Sequence, residues 1–253
     1  MKHLKAAWKR PLRQLYLRHR ESRGKIDAQV KLLRQYKIDL VLDVGANRGQ
    51  YAKRLLRKGF AGRVVSFEPL PDAFADLSRR CQEDPNWSAI NVALGDQNAR
   101  ATLNIAGNSQ SSSLHPMLDR HVESAPDSAY TGTVDVDVRR LDQMLDQIAD
   151  PNDRIFMKID VQGHEQQTLA GASGCFDRLC GLELELSLVS LYEGQELWQE
   201  TIRSLNDRGF ELSSLKPCFN DPETGVLLQA DGVFVRPESV PQSRANVGPK
   251  RAA

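Results

Sequence analysis

The chain has 253 residues, of which 40% are hydrophobic and 26% charged, with 17 glycines, an ordinary globular balance that excludes wholesale disorder and suits one large α/β domain. No run approaches 18 apolar residues, which excludes a membrane-spanning helix, and the charged N-terminus has no apolar stretch of signal-peptide length. The net charge of +1 is uneven: residues 1–25 hold nine Lys/Arg and one acid, and residues 239–253 hold three Lys/Arg and no acid. That leaves 22 bases against 32 acids between them, which speaks against a nucleic-acid-binding body. Cys81, Cys175, Cys180 and Cys218 show neither zinc-ligand spacing nor a disulfide pattern, and are expected as free thiols in a reducing cytoplasm.

In chain order, residues 1–25 form a basic N-terminal arm. Leu4, Trp8, Leu12, Leu15 and Tyr16 share a helical face broken at Pro11, a face suited to peripheral contact with an anionic membrane surface. Residues 26–236 are expected as the folded domain. Its first half reads as helix 26–36, strand 38–43, helix 49–58, strand 63–67, helix 72–83 and strand 87–94. Short continuous apolar strands between amphipathic helices indicate a parallel sheet covered on both faces. Residues 99–105 and 133–138 alternate as half-exposed strands do. The polar, turn-rich segment between them is expected to add little core and to be functional or mobile. Strand 154–159, helix 164–170, strand 181–188 and helix 196–206 follow. The final strands 210–215 and 232–235 lack a helix between them and are expected to pair as an antiparallel hairpin. Residues 237–253 have the composition of a disordered tail.

The segment Val41–Tyr51 (VLDVGANRGQY) runs from a strand through a glycine turn into a helix, the usual nucleotide-site position in an open α/β sheet. Its spacing is G-x-x-x-G over Gly45 and Gly49, with Asn47 where a dinucleotide loop has its middle glycine. Asp43 just before the turn opposes a pyrophosphate and suits a sulfonium and an amine. This pattern favours S-adenosylmethionine over NAD. Glu68 ends the second strand, where a carboxylate accepts ribose hydroxyls, and Asp96 follows the third, where it is expected to meet an adenine amino group. Gly45, Asn47, Gly49 and Tyr51 complete the expected cofactor set.

VLDVGANRGQY, VVSFEP (64–69), NVALGD (91–96), MKIDVQGHEQQTLAGA (157–172) and LELELSLVSLYEG (182–194), in that order, resemble the FkbM family of S-adenosylmethionine-dependent methyltransferases. The resemblance covers roughly residues 38–236. It implies a Rossmann-like class I methyltransferase, with a seven-stranded, mostly parallel sheet, an antiparallel last strand and helices on both faces. It also implies methyl transfer to oxygen, often on a sugar or related metabolite. The family often has Asp-Val-Glu-Gly, whereas this chain has Gln162, so no role of that glutamate carries over.

Transfer to a hydroxyl needs a proton acceptor near the sulfonium. His164 is the expected general base, because imidazole titrates near neutral pH. Asp160 is expected to orient the acceptor, assist the base or bind a metal, and Lys158 completes the expected catalytic set, with simple pairing to an acid as its alternative. Glu165 favours the helix start electrostatically, and one of Glu183 and Glu185 is expected to face the site. Asp160, His164 and Glu185 would suit Mg²⁺, but a metal-free site is preferred. Tyr192, Glu193 and Gly194 are expected at the acceptor pocket, and Ser111–His115 as a lid or a source of hydroxyls. The acceptor is expected to be a sugar hydroxyl of a glycolipid, polysaccharide or glycosylated metabolite. Competing readings are an NAD-dependent oxidoreductase or epimerase, and a non-catalytic Rossmann-like adaptor at a membrane. The oligomeric state is not legible.

Overall fold

The computed structural model describes residues 27–241. The basic arm at residues 1–25 and the tail beyond residue 241 lie outside the described residues. Helix α1 (Ala28–Gln35) is opened by Asp27, whose side chain accepts from the Gln29 amide at 3.1 Å. Then follow β1 (Leu40–Val44), α2 (Gln50–Arg57), β2 (Arg63–Phe67), α3 (Pro71–Cys81) and β3 (Trp87–Ile90). The middle holds β4 (Ala93–Leu94), β5 (Ala99–Ala106), α4 (Asp119–Ser124), β6 (Tyr130–Arg139) and α5 (Leu145–Ile148). The last third holds β7 (Ile155–Ile159), α6 (Glu165–Gly171), β8 (Leu179–Ser187), α7 (Trp198–Asn206), β9 (Glu211–Asn220) and β10 (Leu227–Val235).

The main sheet has seven strands in the order β3-β2-β1-β7-β8-β10-β9. Pairs β3 to β8 are parallel, while β10 runs antiparallel to both β8 and β9. The expected Rossmann-like sheet, with its antiparallel last strand, is therefore the one found. Successive β1 residues bury on opposite faces: Leu40, Leu42 and Val44 pack with Met157 and Leu184, and Val41 packs with Leu33, Leu55 and Phe156. Covered on both sides, β1 is apolar at every position except Asp43, which is why the alternation is lost there.

The expected third strand, 87–94, divides in two. Trp87–Ile90 pairs with β2, but Ala93-Leu94 pairs with β6 in a separate three-stranded sheet, β4-β6-β5. Trp87 and the Ala93-Leu94 pair are buried, while Ser88 and Asn91 are exposed and Ala89, Ile90 and Val92 are half-buried between them. At the other end, residues 237–239, assigned from composition to a disordered tail, form a 3₁₀ turn, and the Ser239 carbonyl accepts from Arg154. The strand order reverses between β1 and β7, and their carboxyl ends open the crevice expected at such a switch point.

Candidate active site

Two cavities meet at that crevice. The narrow one is lined by β1 and β2 ends (Val44, Gly45, Phe67, Glu68), by Val92–Leu94 and by the 109–114 segment. Its lining contains no Lys or Arg. A pyrophosphate would therefore meet carboxylates and apolar groups with no counter-charge, whereas a phosphate-free nucleoside fits. Glu68 is 5% exposed and accepts from the Asn47 amide at 2.6 Å and the Leu70 amide at 2.8 Å. Burial raises its pKa to about 7, and the two amides only partly offset that. Asn47 holds its left-handed backbone (φ 47°) while its side chain donates to Ser109 at 3.2 Å.

Gly45 is needed for a close crossing. It has φ 71°, and a Cβ there would lie 1.7 Å from the Asp160 carbonyl oxygen. The β1 turn and the β7 turn thus touch backbone to backbone, which sets the floor between the cavities. Gly49 lines neither cavity; it precedes α2, and a Cβ there would strike the Trp87 ring at 2.5 Å.

Asp43, expected to face the cofactor, is fully buried and lines neither cavity. Its carboxylate accepts from Ser66 at 3.0 Å and lies 3.5 Å from Lys158 Nζ. Burial raises its pKa, against the pull of Lys158 and Ser66. Lys158 also lies 3.3 Å from Asp160 and donates to the Gly45 carbonyl at 3.1 Å. Burial lowers the Lys158 pKa, but Asp160 and Asp43 outweigh it and the net shift is upward. The ammonium therefore stays charged and braces the turn; it is not a base. Asp96 is exposed and outside both linings, following β4 of the small sheet, and its charge acts on His164 of the narrow cavity.

The wide cleft, of about 570 Å³, is lined by Lys158, Asp160, Gln162, Glu183, Glu185 and Asp231, with Tyr51, His121 and Phe219 among its other walls. Glu183 and Glu185 both face it, since residues two apart on a strand share a face. The Tyr51 hydroxyl donates to Glu183 at 3.3 Å and accepts from Gln29 at 2.6 Å, so Tyr51 belongs to this cleft and not to the narrow cavity. Asp160, Gln162, Asn47, Gly45 and Gln110 line both spaces and mark their junction.

His164 lines the narrow cavity and not the wide cleft. Its Nδ1 sits 2.9 Å from His115 Nε2, and its own Nε2 is buried without a partner. Burial and His115 lower its pKa to about 4 against the pull of Asp96, so it is neutral at pH 7. Glu165 stays at the start of α6, accepting from the Gly163 amide at 3.2 Å. Among the described residues, Asp160, His164 and Glu185 do not converge at metal-ligand spacing. Glu185, Cys218 and Asp231 have donor atoms within 4.8 Å of one another, but Glu185 there already accepts from Gln162, Gln229 and Cys218, and we read the group as a hydrogen-bonded cluster. All four cysteines are free.

Residues 107–129, expected to add little core, close over the junction. Asn104 and Ser113 form a β-bridge, Ser113 Oγ donates to the Gln162 carbonyl at 2.5 Å, and Tyr192 Oη lies 3.3 Å from the Ser111 carbonyl oxygen. Tyr192 is fully buried beneath the segment, while Glu193 and Gly194 lie outside both linings. His121 was not foreseen. It is 3% exposed, its ring packs on Tyr192 and Phe219, and burial lowers its pKa to about 4. Nothing in a polar run such as DRHVESAP separates a buried histidine from a surface one.

The Methyltransferase FkbM domain matches residues 43–212. The chain belongs to the FkbM methyltransferase family. It is a methyltransferase with S-adenosylmethionine as methyl donor, and the oxidoreductase and adaptor readings fall with that. The 2-O-methyltransferase NoeI of Sinorhizobium fredii is 29% identical over 182 residues, covering 68% of this chain and 72% of NoeI. Methyltransferase 1 of Beauveria bassiana is 27% identical over 195 residues, covering 72% of this chain and 76% of that protein. Among solved structures, an FkbM methyltransferase from Methylobacillus flagellatus aligns at 15% identity with a TM-score of 0.45, over 77% of this chain and 43% of that one.

Proposed function

We propose that this FkbM methyltransferase transfers the methyl group of S-adenosylmethionine to a hydroxyl oxygen of a sugar. The observation that carries this reading is the junction of two unlike spaces at Asp160: a narrow cavity without cations and a wide cleft walled by carboxylates and amides. Bound S-adenosylmethionine supplies a methyl carbon already activated by its sulfonium. Glu68 accepts the ribose hydroxyls, and Phe67, Leu94 and Val161 flank the base and exclude water. Asp160, at the junction, faces the cationic centre. In the wide cleft, Asp160, Glu183, Glu185 and Gln229 offer the acceptors and donors that bind polyols, with the Tyr51 and Phe219 rings beside them. The similarity to a 2-O-methyltransferase supports oxygen as the target.

The protein's task is then alignment and proton removal. Lys158 stays charged and fixes the turn, and His164 stands on the nucleoside side, leaving the carboxylates of the wide cleft to take the proton. The test is incubation with radiolabelled S-adenosylmethionine and separate pools of neutral oligosaccharides, glycolipids and non-sugar hydroxyl compounds. Label on a sugar oxygen, located by NMR, is expected. Label confined to nitrogen or to non-sugar acceptors would overturn the proposal. No structural role is assigned to residues 1–25; peripheral membrane contact there is part of this proposal, and binding to anionic vesicles that disappears on their removal would support it.

A further inference from the structure

Gln162 joins the two carboxylates at the junction. Its Nε2 lies 2.8 Å from Asp160 Oδ1 and 2.8 Å from Glu185 Oε2, and its Oε1 accepts from Tyr192 Oη at 2.8 Å. The amide orientation follows from chemistry. Ionised carboxylates only accept, so the NH₂ group must face them, and the oxygen is left for the tyrosine hydroxyl. The residue has φ 54°, an uncommon backbone for a side chain this long, and its carbonyl is tied to Ser113. Every polar atom of the side chain is thus engaged, and the backbone is held where the amide can reach both acids.

We infer that Gln162 is the positioning residue of the acceptor end: one amide fastens Asp160 to Glu185 and holds Glu185 facing the wide cleft, where it takes the proton of the acceptor hydroxyl. This rests on the reading of that cleft as the acceptor site. The step balances. The hydroxyl oxygen forms a bond to the methyl carbon, the carbon–sulfur bond breaks with its electron pair going to sulfur, and the hydroxyl proton moves to the Glu185 carboxylate. S-adenosylhomocysteine, the methyl ether and a neutral Glu185 result.

Burial, and then the neighbouring Asp160, Glu165 and Asp231, raise the Glu185 pKa well above the ordinary carboxylate range, against the pull of Lys158. The amide is the group that opposes that rise without displacing the acceptor. The other groups facing Glu185 are Lys158 on β7, Glu165 on α6, Asp231 on β10 and Cys218 on β9. Gln229 supports from the side at 3.3 Å. Of these, only Lys158 is positive, and it is committed to Asp43, Asp160 and the Gly45 carbonyl.

The test compares Gln162→Ala with Gln162→Glu, which has the same shape but replaces the donor with a third acid. Carbon-13 carboxyl NMR follows the titration of Glu185 without any acceptor. Relative to the parent, we expect it to move up by about one unit or more in Gln162→Ala and further in Gln162→Glu, because the donor to the charged form is lost. With a sugar acceptor, kcat is expected to fall on the order of 10- to 100-fold in both variants, while KM for S-adenosylmethionine changes little. A purely space-filling role predicts instead that Glu185 is unmoved in Gln162→Ala; that result overturns the inference. If either variant fails to melt cooperatively, Tyr192→Phe, which removes only the oxygen that orients the amide, is expected to shift Glu185 in the same direction by less, and no shift overturns the inference. Manganese added to the parent should change neither rate nor titration; a gain in both would mean that a cation joins the acids. Should the parent methylate no sugar, the proposed function fails, while the titration still decides whether the amide joins the acids.

Discussion

At the scale of single residues, the same chemical type has different work depending on where its strand ends. Glu68, Asp43 and Asp96 look alike in sequence, each an acid after an apolar run. Glu68 closes the narrow cavity, Asp43 is sealed beneath the turn with Lys158, and Asp96 is in solvent. Carboxylate chemistry is legible from the chain; burial is not, because it depends on which neighbours the strand finds. Glu68→Gln is expected to weaken S-adenosylhomocysteine binding by about 1–3 kcal/mol, the usual cost of a hydrogen bond to a charged group, as read by calorimetry. The pH dependence fixes the sign. In the proposed site the ribose hydroxyls would donate to the ionised form, and the Glu68 pKa is raised to about 7, so affinity should fall as pH drops through that value in the parent and stay flat in Glu68→Gln. Asp43→Ala should leave a buried ammonium short of a partner and destabilise the fold by about 3–5 kcal/mol in chemical denaturation. A stability loss below 1 kcal/mol would mean that Lys158 is held by Asp160 and the Gly45 carbonyl alone.

At the scale of elements, periodicity located nearly all the strands and helices, because continuous apolar runs and amphipathic helices alternate cleanly around a parallel sheet. It failed where one run serves two sheets. In WSAINVAL the exposed Asn91 stands where Trp87–Ile90 and Ala93-Leu94 part company, and one polar residue in a strand that already exposes Ser88 does not mark a change of sheet. It also failed over residues 107–129, where contacts made by serine, histidine and asparagine side chains hold a segment that composition marks as loose. The crossing of the β1 and β7 turns at Gly45 is the element-level feature on which the site depends. Gly45→Ala combines a left-handed backbone with a Cβ 1.7 Å from a carbonyl oxygen, so it is expected to abolish cofactor binding and lower the melting temperature. Parent-like binding would show that the two turns can separate. The start of α6 gives a second check. Burial raises the Glu165 pKa from 4.5 to about 7, so the folded state favours its neutral form. Its stabilising contribution is full below about pH 4.5 and is lost as pH rises through about 7. Glu165→Gln should therefore flatten part of the fall in stability over that window, with the Glu68 share remaining.

For the whole molecule, the proposed acceptor cleft carries a charge that predicts which acceptors enter it. Between the basic ends, residues 26–238 carry 22 bases against 32 acids, and the wide cleft adds Asp160, Glu183, Glu185 and Asp231 to its own wall against Lys158 and Arg54. Lys158 is already engaged by Asp43 and Asp160, and Arg54 by Gln29 and the Tyr51 ring. A sulfate, phosphate or uronate on the acceptor would enter a space whose fixed charge is negative and whose cations are spoken for, and a nucleic-acid strand would carry that cost at every phosphate. A neutral oligosaccharide meets no such barrier. Among the described residues no helix is long and apolar enough to cross a membrane, so membrane anchoring through such a helix does not arise there. Methyl transfer to a neutral oligosaccharide is therefore expected to exceed transfer to its sulfated counterpart by about tenfold or more at low salt, one decade corresponding to about 1.4 kcal/mol. The gap should narrow as ionic strength rises, because added salt screens the exposed part of the repulsion. RNA should take up no label at any salt concentration. A sulfated acceptor that matches or outruns the neutral one at low salt would place the acceptor somewhere other than between β7, β8 and β10, since no reorientation of a sugar within that wall removes four carboxylates from its path.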